Sequence, residues 1–267
     1  MSIRGAGSFL YHGSAFGVAA QFDHPNKVTI PTQAMAVLSP SGGEAMSSVD
    51  KFDQYGVAFE QATARAAGSQ DPDGSRHTEV TATVRGVRFL QLVEANYVVA
   101  RVNSIHRVRE TKAGIVDEAE VNFTNSGIDR LFIAGKEIGI GWNTEKFAQY
   151  PTFERLRKGD PKCGVAYGCA GVKDHILYTS IVDEIDCQPL SKDERKALGN
   201  PEYTLPGVRC DGNVLLVPHF GKIFIGEVII QRGYRRINML RMELGCGTGG
   251  GGTVGGGDGN GTQIPPP

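Results

Sequence analysis

Residues 78–108, TEVTATVRGVRFLQLVEANYVVARVNSIHRV, decide the fold class. β-Branched and aromatic residues dominate them, polar positions break in every residue or two, and no apolar stripe of helical period runs through. Residues 79–84 alternate, residues 87–93 follow Gly86, and residues 95–105 continue. Each reads as a short strand. An echo follows about 41 residues on: residues 121–124, Gly127, residues 131–133, Gly135, residues 138–140. A further one is residues 214–217, Gly221, residues 223–225, Gly226. The unit is strand, tight glycine turn, strand. It predicts an all-β body, either a β-solenoid of irregular rungs or a β-sandwich of regular hairpins, and both stay open.

Outward from this centre, residues 28–38 read as strand interrupted at Pro31, and residues 39–43 as a turn cluster. Residues 55–67 alternate but are rich in alanine, and the surroundings favour strand over helix. Asp71-Pro72-Asp73-Gly74 is a turn. Helix is minor. Residues 144–149 and 152–158 read as one helix broken at Pro151, and Ser191 to Glu194 forms a capping box that opens two turns. Residues 175–185 add a strand inside an otherwise loop-rich stretch. The expected organisation is a β-rich body over 1–150, a loop-rich insertion with cysteines over 151–206, final strands over 207–245 and a Gly/Pro-rich flexible tail over 246–267.

The tail expectation rests on composition. Residues 245–261 hold eleven glycines, and the chain closes on Pro265-Pro266-Pro267. With almost no side chain to bury, such a segment cannot compensate its ordering entropy. It reads as a disordered tether, a linker or a strand lent to a partner, so deleting residues 247–267 is expected to leave melting unchanged.

The chain has 267 residues, 40 % of them hydrophobic, and a formal net charge of −1. This gives no electrostatic case for nucleic acid. Arg232, Arg235, Arg236 and Arg241 form the densest basic group. By strand alternation Arg235 and Arg241 share one face and Arg236 takes the other, all solvated. No run of 18 apolar residues predicts a membrane span. Residues 5–20 make a poor secretory segment, which leaves both a cytoplasmic and an exported location open.

The five cysteines are Cys163, Cys169, Cys187, Cys210 and Cys246, at spacings that match no zinc pattern. Cys163 with Cys169, and Cys187 with Cys210, are candidate disulfides; Cys246 is a candidate for an intermolecular contact. Five reduced thiols are the alternative.

Signals for catalysis are weak. His12, His24, His77, His106, His175 and His219 are dispersed, without metal-ligand spacing. Asp71 and Asp73 place two carboxylates in one turn but lack the spaced glutamate of a calcium loop. Residues 254–261 imitate one copy of a calcium-binding nonapeptide, and a single copy builds no rung. Glu184 and Asp186 share a strand face, opposite Asp183, as glycosidase carboxylates would. Gly139-Ile140-Gly141 lacks the third glycine of a dinucleotide site. No cofactor and no metal is expected. Tyr97, Trp142 and Tyr150 are candidate ligand-binding residues.

Three parts of the chain resemble the choice-of-anchor group of bacterial surface proteins. The first is Gly13-Ser14-Ala15-Phe16-Gly17-Val18. The second is Val84-Arg85-Gly86-Val87 through Val102, with residues 128–138 after it. The third is residues 219–227, then residues 236–245 and the glycine-rich end. The resemblance implies a β-rich protein with a structural or adhesive role and supplies no catalytic residues. The resulting expectation is a non-enzymatic structural or surface-display protein, extracellular or at the cell surface. It would act through self-association or another surface component, with strand edges as templates. A carbohydrate- or small-ligand-binding module is the rival, and a glycoside-acting hydrolase comes third.

Overall fold

The computed structural model describes residues 9–107, 109–111, 114–116, 119–159, 176–186, 208–231, 234–245 and 249–263. These residues form an all-β structure of two antiparallel sheets, neither closed into a barrel. The first half of the chain supplies β1 (Phe9–Phe22), β2 (Val28–Val37), β3 (Gly43–Gln54), β4 (Val57–Gln70), β5 (Arg76–Phe89) and β6 (Val93–His106). Next come the small hairpin β7 (Arg109–Thr111) and β8 (Gly114–Val116), then β9 (Glu120–Asn122), β10 (Gly127–Ile133) and β11 (Lys136–Trp142). Two short helices follow, α1 (Lys146–Gln149) and α2 (Phe153–Gly159), then β12 (Leu177–Ser180) and β13 (Val182–Asp186). The chain ends with β14 (Arg209–Asp211), β15 (Val214–Val217), β16 (Gly221–Gln231), β17 (Tyr234–Leu244) and β18 (Gly250–Gln263).

Sheet one runs β14-β15-β16-β17-β18-β1-β2, with β12 also on β16. Sheet two runs β13-β11-β10-β6-β5-β4-β3, with β9 also on β6. The inner faces meet in one apolar core that joins Ala15, Val18 and Met239 of sheet one to Ala62, Val84 and Val98 of sheet two. The chain crosses between sheets at Ile181. There the Ser180 hydroxyl lies 2.9 Å from the Gly226 carbonyl and accepts the Val182 N–H at 2.9 Å. Pro31 sits inside β2, which terminates sheet one; an edge strand tolerates its missing donor.

The glycine-rich end is not a free tail. Gly250–Gln263 forms β18, hydrogen-bonded to β1 on one side and β17 on the other, in the interior of sheet one. Glycine-rich composition reflects only the burial that this segment's own side chains could contribute. Here the neighbours supply it. A Cβ on Gly252 would lie 2.6 Å from the Phe89 ring, and one on Gly255 2.9 Å from Val98 of the opposing sheet. On the other face the Phe16 ring lies directly over Gly256. Bare backbone lets the second sheet and the flanking aromatics close onto it.

Both sheets reverse their pleat along one transverse row. In sheet one the pairs Phe16–Gly256 and Val18–Val254, then Asn238–Gly256 and Leu240–Val254, put Gly17, Gly255 and Met239 opposite one another. Ala34 and Gly226 extend this row to β2 and β16. In sheet two the row is Lys51, Glu60, Gly86, Asn96 and Arg130. Alternate strands enter the left-handed region: Ala34 (φ 51°), Gly255 (62°) and Gly226 (58°) in one sheet, Lys51 (40°), Gly86 (61°) and Arg130 (50°) in the other. For a non-glycine residue that conformation costs about 1–2 kcal/mol. Strand alternation fails at each row. Gly17 and Val18 are both buried, whereas Asn96 with Tyr97, and Asp129 with Arg130, are consecutive exposed pairs.

This reversal corrects three expectations. Gly86 is a kink inside β5 rather than a turn; the β5–β6 turn is Leu90-Gln91, both at positive φ. Arg235 is 1 % exposed, not solvated. Arg241 and Arg236, expected on opposite faces, join one network through Asn238 and Glu227, because the pleat reverses at Met239 between them.

Of the expected insertion, α2 buries Phe153 and Leu156, and β12 and β13 each extend one of the two sheets. The capping box at Ser191 lies outside the described residues.

Candidate functional site

Two surface features stand out. The first is a groove on the outer face of sheet two, along its kink row. It encloses about 560 Å³ and runs from Lys51, Phe52 and Asp53 on β3 to Phe132 on β10. Phe52 stacks on buried Phe59 with ring centroids 5.4 Å apart. The pleat reversal shapes the groove by turning two consecutive rows outward. Its rim carries Glu60, Arg88, Glu94 and Asn96. Arg88 stands 4.0 Å from Asp53, a loose and exposed pair.

The second feature is the flank where both sheets end. β2 terminates sheet one and β3 terminates sheet two, and the two strands follow each other in the chain. Among the described residues, five large hydrophobic side chains are exposed, and three lie on this flank: Met35 (51 %), Val37 (56 %) and Met46 (71 %). A smaller cleft of about 380 Å³, lined by Phe22, His24, Tyr55 and Leu90 among others, lies where the β1–β2, β3–β4 and β5–β6 connections gather.

The predicted ligand-binding residues fall in different settings. Tyr97 is exposed on the outer face of sheet two, its ring 5.7 Å from the Arg85 guanidinium. Trp142 ends β11 and packs beside Gly127 and Gly226, 3.2 Å from where a Cβ on Gly226 would stand. Tyr150 follows α1 and covers Gly159. No described contact joins the three. Glu184 and Asp186 sit on β13 at the edge of sheet two, opposite Gly141 and Gly139. Cys163, Cys169, Cys187, Cys246 and His175 lie outside the described residues; Cys210 is half-buried on β14, opposite Leu215.

The Asp71–His77 turn is tied to itself. His77 Nε2 lies 2.8 Å from Asp71, and the Ser75 hydroxyl and N–H both donate to Asp73. These two bonds, the hydroxyl's first, hold the Asp73 carboxyl below the usual aspartate range. At the opposite sheet, buried Glu227 receives Arg241 Nε and Nη2 at 2.8 Å each and Asn238 Nδ2 at 3.0 Å. The Arg241 guanidinium lies 3.6 Å from the centre of the Phe224 ring. Burial disfavours its charge, but the Glu227 and Glu243 carboxylates outweigh burial and raise its pKa. Sequence reading missed this cluster, because the period-two rule separates its members.

A family model described as a domain of unknown function (DUF8256) matches residues 9–168, more than half of the chain. The chain belongs to the DUF8256 family. The DUF8256 match starts at the first residue of β1 and covers every strand of the groove and of the flank, but not β18. No curated protein and no solved structure matches the chain.

Proposed function

We propose that this protein is a non-enzymatic structural or surface-display protein that self-associates through the β2/β3 flank. The observation that carries the reading is the concentration of exposed Met35, Val37 and Met46 on the two strands that end the sheets. Surface strands normally guard against pairing with charge, proline or shortness. β3 is twelve residues long, exposed or half-buried throughout, and from Gly43 to Val49 carries one charge, Glu44. A second copy pairing there would continue sheet two and cover the methionine. Kinked Lys51 and the charges around it limit pairing to that N-terminal half.

We read the two layers as a β-sandwich rather than a solenoid, since the core lies between their faces. The resemblance to choice-of-anchor surface proteins supports an exported location, and oxidised cysteines would fit it. Cys210 is engaged by a contact of its own, and a bridge to Cys187 is the pairing we propose. Peptide mapping without reductant tests it; a freely alkylated Cys210 contradicts it.

Sedimentation velocity over a concentration series tests the assembly. A reversible dimer or larger species is expected for the wild type and a monomer for the double variant Met46→Lys, Val37→Lys, with melting unchanged. A wild type that stays monomeric at high micromolar concentration overturns the reading.

A further inference from the structure

We propose that the transverse groove of sheet two binds an uncharged linear saccharide. The inference goes beyond self-association and does not depend on it. Its first support is shape. The groove crosses the strands from β3 to β10, about 19 Å at ordinary strand spacing, so it suits an extended chain several rings long. Running across strands instead of along an edge, it offers a peptide no backbone ladder to join. The second support is chemistry. Phe132 presents aromatic surface at the β10 end, with the Arg130 guanidinium 5.0 Å from its ring centre. Along the groove Glu60, Glu94 and Asn96 hold carboxylate and amide groups that no other described side chain engages. An aromatic face for C–H surfaces, with acceptors placed for hydroxyls, is the pattern of a saccharide site. The third support is charge. Lys51 and Arg88 stand against Asp53, Glu60 and Glu94, so the rim favours neither a polyanion nor a polycation. The fourth is the backbone. Lys51 and Arg130 adopt left-handed conformations that no glycine relieves, and backbone strain of this kind clusters at ligand sites.

An amide-resolved NMR titration of the full chain with linear tetrasaccharides of glucose, N-acetylglucosamine, mannose and galactose tests this. At least one is expected to shift the amides of residues 51–53, 94–96 and 132 and to saturate in the millimolar range or below. Phe132→Ala and Glu94→Gln should each weaken it about tenfold, at unchanged melting temperature. Arg65→Ala, on the same face but held by Glu44 and Glu79, should leave it unchanged. Absence of shifts with all four sugars overturns the proposal. So does binding that survives in the Phe132→Ala, Glu94→Gln double variant. So does a random peptide pool that shifts these amides where the sugars do not.

Discussion

The two kink rows are the same backbone device built from opposite chemistry. In sheet one the row is Ala34, Gly17, Gly255, Met239 and Gly226, and it faces the core. In sheet two it is Lys51, Glu60, Gly86, Asn96 and Arg130, and it faces out. Where the row turns inward, the opposing sheet is so close that a Cβ on Gly17 would lie 2.7 Å from Ala62. Only small or flexible residues fit. Where it turns outward there is room, and long charged side chains take left-handed positions that glycine would fill at less strain. The inner row therefore serves packing, and the outer row shapes a surface.

Four substitutions or deletions distinguish the two rows, in descending order of expected effect. Truncation after Gly249 removes β18 from between β1 and β17 and should abolish cooperative unfolding, followed by circular dichroism during heating. A flexible tail would instead leave the melt intact. Gly255→Val meets both a positive φ and Val98 at the position of its new Cβ. It should cost about 3–4 kcal/mol in denaturant titration. Glu227→Gln leaves the Arg241 guanidinium with a weaker partner. A fully buried pair loses about 3–5 kcal/mol when broken, and with Arg241 27 % exposed about 2 kcal/mol is expected by the same measurement. Lys51→Gly in the outer row goes the other way and should stabilise by about 0.5–1 kcal/mol, strain relief outweighing the entropy of glycine. If Lys51→Gly destabilises as Gly255→Val does, the two rows are not the distinct devices described.

A pH effect follows from the Asp71 turn. The folded Asp73 carboxyl lies below its ordinary range. Its contribution is thus present above an unfolded value of about 3.9 and is lost as pH falls through the lower folded value. Ser75→Ala should move the Asp73 titration, read by NMR, back up.

Much of the β character was legible in the sequence. Residues 78–106 became β5 and β6, the alanine-rich segment became β4, and the helix broken at Pro151 became α1 and α2. What escaped shares one cause. β1, β3 and β18 are rich in glycine, alanine and serine, so they carry weak strand propensity of their own and draw their burial from neighbours. The pleat reversals then defeated alternation wherever a face had to be assigned, above all at Arg235, Arg236 and Arg241. The groove was invisible for the same reason. Asp53, Glu60, Glu94 and Phe132 lie on four strands, and register alone brings them to one surface.

Hydrogen exchange of the amides in Gly250–Gln263 reads the state of this segment without perturbing it. If this glycine-rich segment is an interior strand of sheet one, its amides exchange as slowly as those of β6, through global unfolding. Exchange at the rate of an unstructured chain would contradict the account.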